Sequence, residues 1–161
     1  MIACFIALVP LPTSASRSPK YLPAVKQEIA RLGFNADCRD AEGICTLTAT
    51  PENGSDTGYK IAVIIDDASA TVRFVVNDFL PKVTLTGNVA KQLLAINHQL
   101  VVARLSLDEK SNTITLSALV NTDSNFDRKT FRSVLKGFIQ VMSDLNRRFN
   151  SETTPKPDAQ N

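Results

Sequence analysis

Apolar residues change their spacing several times along this chain, and each change marks an element. Leu22, Val25, Ile29 and Leu32 recur every three or four residues, the period of a helix with one buried face. Ser18-Pro19 can open that helix, with serine as N-cap and proline at the first helical position, and Gly33 can take the left-handed conformation that closes it. The period then shortens to two. Phe34 to Arg39 and Ile44 to Thr50 read as short strands around Asp40-Ala41-Glu42-Gly43, and Pro51 to Gly58 is turn chemistry throughout, a mobile loop. Tyr59, Ile61, Val63 and Ile65 alternate with polar or smaller residues, as do Val72, Phe74 and Val76, and Asp67 to Ala70 joins the two runs in a second hairpin.

Pro81 ends that strand, and Thr86 can cap a helix whose stripe is Val89, Leu93, Ile96 and Leu100, with Asn97-His98-Gln99 as its C-terminal turn. A third, half-buried hairpin follows. Val101, Ala103, Leu105 and Leu107 face one way, and Ile114, Leu116, Ala118 and Val120 repeat the alternation after the polar turn Glu109 to Asn112. The longest helix runs from Asp127 to about Phe149, capped by Ser124 or Asp127. Its apolar band is Phe131, Val134, Leu135, Phe138, Ile139, Val141, Met142 and Leu145. The band is wider than a sheet-facing stripe needs, so two readings stand: extra core, or a surface for a protein partner or a second copy of the chain.

Runs of strands separated by isolated helices, without regular βαβ alternation, imply an α+β fold: an antiparallel sheet of about five to six strands with three helices packed on it. Residues 17–149 form that domain. Residues 1–16 are an apolar N-terminal extension or a weak signal peptide, and 150–161, with Pro155 and Pro157, a disordered tail. The apolar start followed by small residues imitates an export signal but lacks its basic n-region, so a cytoplasmic location is expected, with export as the alternative if Met1 to Ala15 is cleaved. Nine apolar residues are too few to span a bilayer, so no membrane insertion is expected.

At 161 residues the chain can bury a core without a disulfide or metal, and its 43% hydrophobic and 21% charged residues are those of an ordinary globular protein. Charge is uneven. Residues 37 to 78 carry eight acids and three bases, and 127 to 148 six bases and two acids. Such polarity can steer a partner or pair two copies, or simply mark two solvated faces.

Leu93-Leu94-Ala95-Ile96-Asn97, then Val101 to Asp108, Thr113 to Val120 and the closing helix Phe131 to Leu145 resemble the YbjN family, named for bacterial sensory transduction and similar in fold to type III secretion chaperones. The resemblance covers residues 86 to 149. It implies a helix–sheet–helix domain, frequently dimeric, that binds other proteins without established catalysis. It also matches Asn97 to an Asn at the end of the second helix, for which a helix-closing role is the simplest.

No reaction or ligand can be read from the residues, and no enzyme, cofactor or metal is expected. The single histidine, His98, sits at a helix end with no nucleophile elbow nearby, so it reads as a capping or surface group. One His and three Cys without a Cys-x-x-Cys pair do not make a structural zinc site, and Asn121, Asp123 and Asn125 fail as a calcium loop because Phe126 and Arg132 stand where Gly and Glu are needed. Asp66 and Asp67 point to opposite faces of a strand and read as its terminators. Arg128, Arg132 and Lys136, spaced by four, could contact phosphates, but a solvated face is the expectation and nucleic acid is not an expected partner. Cys38 and Cys45 face each other if the turn is symmetric about Ala41-Glu42 and are diagonal if Gly43 makes a bulge; reduced, buried thiols are the expectation.

Overall fold

The computed structural model describes residues 18–50, 58–80, 87–108, 111–122 and 125–153. The expectations placed on residues 1–16, on the loop 51–57, on Pro81, Thr86 and Ser124, and on residues 154–161 of the tail lie outside the described residues, while the start of that expected tail continues the last helix to Thr153. Among the described residues nine elements follow one another: α1 (Leu22–Arg31), β1 (Ala36–Arg39), β2 (Ile44–Ala49), β3 (Tyr59–Asp66), β4 (Thr71–Leu80), α2 (Gly87–Gln99), β5 (Arg104–Asp108), β6 (Thr113–Asn121) and α3 (Arg128–Thr153). The strands pair antiparallel in the order β1-β2-β3-β4-β6-β5. This is the α+β architecture that the alternation of periods predicts.

Alternation decides which way each strand faces. Cys45, Leu47, Ile61, Val63, Val72, Phe74, Leu116 and Val120 are buried on one face. On that face Phe74 meets Phe131 and Phe138 of α3, with ring centroids 5.3 and 5.9 Å apart. Thus α3 crosses the middle of the sheet on its apolar side. The other face carries Ile44, Thr46, Ala62, Ile64, Val75 and Ser117, all half-buried, beside the exposed Arg73 and Leu119.

Turns are fixed by specific side chains. Asp66 accepts the backbone N–H groups of Ala68 (2.9 Å) and Ser69 (3.3 Å) and the Ser69 hydroxyl (2.7 Å), which closes the β3–β4 hairpin. Those three bonds hold its carboxyl below the usual carboxylate range, the Ser69 hydroxyl contributing most. Asp127 caps α3 in the same manner, accepting from the backbone of Lys129 and Thr130 and from the Thr130 hydroxyl. Its carboxyl is depressed too, chiefly by that hydroxyl. Gly43, at φ +67°, ends the β1–β2 turn where a Cβ would strike Pro19 and the Ile65 carbonyl.

Several expectations require correction. Helix α1 begins at Leu22 with Pro23 in its first turn, three residues later than a Ser18-Pro19 start, and its N-cap residue Tyr21 makes no side-chain capping bond. Strand β4 runs on to Leu80 through an irregularity after Val76, with Asp78 at φ +49°, so that Phe79 and Leu80 are buried. Val101 is not a strand residue; it stands in a bend before β5 and is 97% exposed.

Cys38 and Cys45 are not free thiols. Because a four-residue turn separates the closing pair Arg39 and Ile44, the two cysteines fall directly opposite one another and form a disulfide, their Cα atoms 4.0 Å apart.

Candidate protein-binding surfaces

Helix α3 uses its apolar band in two ways. Phe131, Leu135, Phe138 and Met142 have no exposed surface and Leu145 almost none, since these positions share the side of the helix that meets the sheet. They are core of a single chain, and the wider reading of the band as a partner surface narrows accordingly. Val134, Ile139 and Val141 stay half-buried on the flanks. One flank faces the α2–β5 connection: Gly137 lies so close to Val102 that a Cβ would touch it at 3.4 Å, and Arg148 reaches Gln99 at the end of α2 (3.4 Å). The other flank faces α1. There Ile139 and Lys136 line a cavity of about 340 Å³ with Leu32, Phe34 and Ala49.

The cations expected to form a solvated stripe are largely taken. Glu28 lies on the apolar side of α1, has no exposed surface, and receives three guanidiniums: Arg132 at 2.6 Å, Arg128 at 3.0 Å and Arg31 at 3.0 Å. Arg128 also donates to Gln27. Burial raises the Glu28 carboxyl, but the bonds from Arg132 and Arg128 outweigh it and the net effect is a lowered pKa. Arg128 and Arg132 therefore tie α3 to α1. The sequence signal for this was available, an acid within the stripe Leu22, Val25, Ile29 and two arginines one turn apart.

Asn97 is not a helix cap. Helix α2 continues to Gln99, and the Asn97 side chain turns to β5, where its amide nitrogen donates to the Leu105 carbonyl (2.8 Å) and its oxygen accepts the Leu105 N–H (2.7 Å). A carboxamide offers one donor and one acceptor in a plane, as a neighbouring strand does, so Asn97 completes the ladder on the outer side of β5. His98, beside it, is exposed, as expected of a surface group. Among the described residues no three His, Cys, Asp or Glu gather as metal ligands, and no helix is long and apolar enough to cross a membrane.

Among the described residues three large apolar side chains are exposed: Leu94 on α2, Val101 before β5 and Leu119 on β6. Val101 and Leu119 border one shallow depression of about 290 Å³ together with Arg73 and Arg104. Burial pushes the Tyr59 hydroxyl's pKa up while it donates to Asn146 (2.9 Å), a link between β3 and α3 within the packed region.

No family model and no curated protein matches the chain. Solved structures do. YbjN of E. coli superposes with a TM-score of 0.57 at 16% identity, over 79% of this chain and 92% of that one. A chain of the HopA1–SchA chaperone–effector complex gives 0.54 at 15%, over 84% and 97%. A chain of the heterodimeric ExoU–SpcU complex from the type III secretion system of Pseudomonas aeruginosa gives 0.51 at 19%, over 81% and 98%. At these identities the likeness establishes architecture, and the chain has the fold shared by YbjN and the type III secretion chaperones.

Proposed function

We propose that this chain is a non-catalytic protein-binding domain, chaperone-like or regulatory, that works as a homodimer. The observation that carries the reading is the fold, held in common with chains whose structures are complexes with other proteins. Surfaces suited to such a role accompany it: a partly apolar cavity beside α1 and α3 and exposed aliphatic groups at Val101 and Leu119. Because most of the α3 band is spent on the chain's own core, the dimer contact is assigned to the Val101 and Leu119 side. A cytoplasmic domain at residues 17–149 is part of the same reading.

Light scattering across a concentration series tests the dimer. The mass should rise to twice that of the chain, and Val101→Asp with Leu119→Asp should hold it at one while the circular dichroism spectrum is unchanged. An unaltered mass in that double variant removes the assigned contact. Affinity capture from the native cells with mass-spectrometric identification tests the binding role itself.

The Cys38–Cys45 disulfide favours a second reading, an exported form of the same domain, since such bonds persist in oxidising compartments. Intact mass and thiol counting on the native protein decide between them: a missing N-terminal segment with bonded cysteines supports export, and an intact Met1 with free thiols rules it out.

A further inference from the structure

We infer that the groove between α1 and α3 takes an extended peptide segment of the partner protein in which acidic side chains stand beside apolar ones, an inference that rests on the protein-binding reading. The groove is lined by apolar and polar side chains together. Leu32 and Phe34 just past the end of α1, Ala49 from β2 and Ile139 from α3 give a cavity of about 340 Å³ its apolar lining, and Thr50, Lys136, Gln140 and Ser143 give it a polar one. Such a volume accommodates one or two aliphatic side chains.

What gives the groove a sign is its neighbour. Glu28 and Arg132 are ion-paired across the two helices, and one turn further along each helix stand Leu32 and Lys136, which line the groove. The cationic cluster therefore adjoins the groove. Within it three guanidiniums share one carboxylate, an excess of two positive charges, and Lys136 adds a third at the rim. Each guanidinium has five N–H donors, and the pairs to Glu28 engage Nη1 of each arginine while 52%, 44% and 36% of the side-chain surface of Arg31, Arg128 and Arg132 remains open to solvent. Glu28 thus pre-orients three donors whose own charge it only partly cancels, an arrangement suited to a partner carboxylate.

Arginines also bind phosphate, so the apolar part of the lining decides between a peptide and a nucleic acid. A phosphodiester backbone makes no use of Leu32, Phe34 and Ile139, whereas a peptide with a Leu, Ile or Phe next to Asp or Glu satisfies both halves of the surface.

The test is selection of a random-peptide phage library on the full chain, followed by affinity measurements with a synthetic peptide from the enriched pool. Enriched sequences should pair Asp or Glu with large apolar residues. The peptide should lose about tenfold or more in affinity when its acids become amides, and again with Lys136→Glu or Ile139→Asn, exposed and half-buried positions whose variants should keep the wild-type circular dichroism spectrum. Enrichment of neutral or basic peptides, affinity unaffected by both variants, or displacement of the peptide by a single-stranded oligonucleotide each overturns the inference and leaves the binding role standing. A library from which the wild-type chain enriches nothing overturns both.

Discussion

The two outer strands of the sheet are secured in opposite ways. Strand β1 is tied to its inner neighbour covalently, through Cys38–Cys45, and α1 behind it is anchored to α3 by charge, through Glu28 and its three arginines. Strand β5 has neither device. Its outward backbone groups at Leu105 are taken by one uncharged side chain, Asn97. An outer strand is a template for pairing with another chain, and the two locks manage that differently. The disulfide acts between β1 and β2, whereas Asn97 occupies the outer ladder of β5 itself. The α1–β1 side should respond to redox state and acid, and the α2–β5 side to neither.

The largest expected effect erases the contrast. Phe138 is fully buried against Phe74 in the middle of the sheet, and losing such a ring to alanine costs about 3–5 kcal/mol. Phe138→Asp adds the burial of a carboxylate, so both edges should unfold together in one early transition in a urea titration. Survival of the β5 edge in that variant would show that the two sides fold independently. The same burial means that Phe138→Asp and Met142→Asp report on the core, not on a partner.

Reduction of the disulfide should come next. A bridge across a separation of seven residues contributes about 2 kcal/mol by loop-closure entropy. Dithiothreitol should therefore lower the unfolding free energy by that amount, with a matching drop in the urea midpoint, and raise amide exchange over residues 36–47 while Leu105 stays protected. Equal loss of protection at both edges would refute the separation.

Removing the amide of Asn97 attacks the other edge. With Asn97→Ala the Leu105 N–H and C=O lose both partners, at a cost of about 1–2 kcal/mol. Asn97→Asp discriminates finely, because a carboxylate keeps the acceptor for the Leu105 N–H but sets a negative oxygen against its carbonyl. Both variants should expose Leu105 to exchange and leave residues 36–47 protected. An Asp variant as stable as wild type would mean that only the N–H bond matters.

These contrasts also mark what the residues disclosed in advance. Strands such as β3 are legible because burial on one face imposes strict alternation, which Tyr59 to Asp66 displays without interruption. The longest helix was legible as amphipathic, but not how much of its band stays covered, because α1 and the α2–β5 connection close over its flanks and neither approach is encoded in its spacing. Asn97 stands out as a residue but its role does not: a local motif suggests closing a helix, while its partner Leu105 lies in a strand that only the fold brings alongside. The cysteines, expected as reduced thiols and found bonded, mislead for a simpler reason. Their register depends on whether Gly43 adds a bulge, and the four-residue turn that it terminates sets them opposite.

The smallest effect is a slope. Glu28 has a folded pKa below its ordinary value of about 4.5 because its arginines outweigh the penalty of burial. A depressed carboxylate contributes fully above its unfolded pKa, and the contribution drains away as pH falls through the folded value. Stability should therefore fall as pH drops below about 4.5, with Asp66 and Asp127 adding in the same direction through their own hydrogen bonds. Glu28→Gln cannot titrate, so its urea midpoint should change less over that acid range than the wild-type midpoint does, while the two aspartates preserve the remaining slope. Exchange protection at Leu105, corrected for the intrinsic rate, should be identical in the two proteins wherever both are folded, because Asn97 carries no charge to lose. If the two midpoints run parallel through the acid range, Glu28 and its arginines are not the acid-sensitive tie between α1 and α3, and the α1–β1 side differs from the β5 side in its disulfide alone.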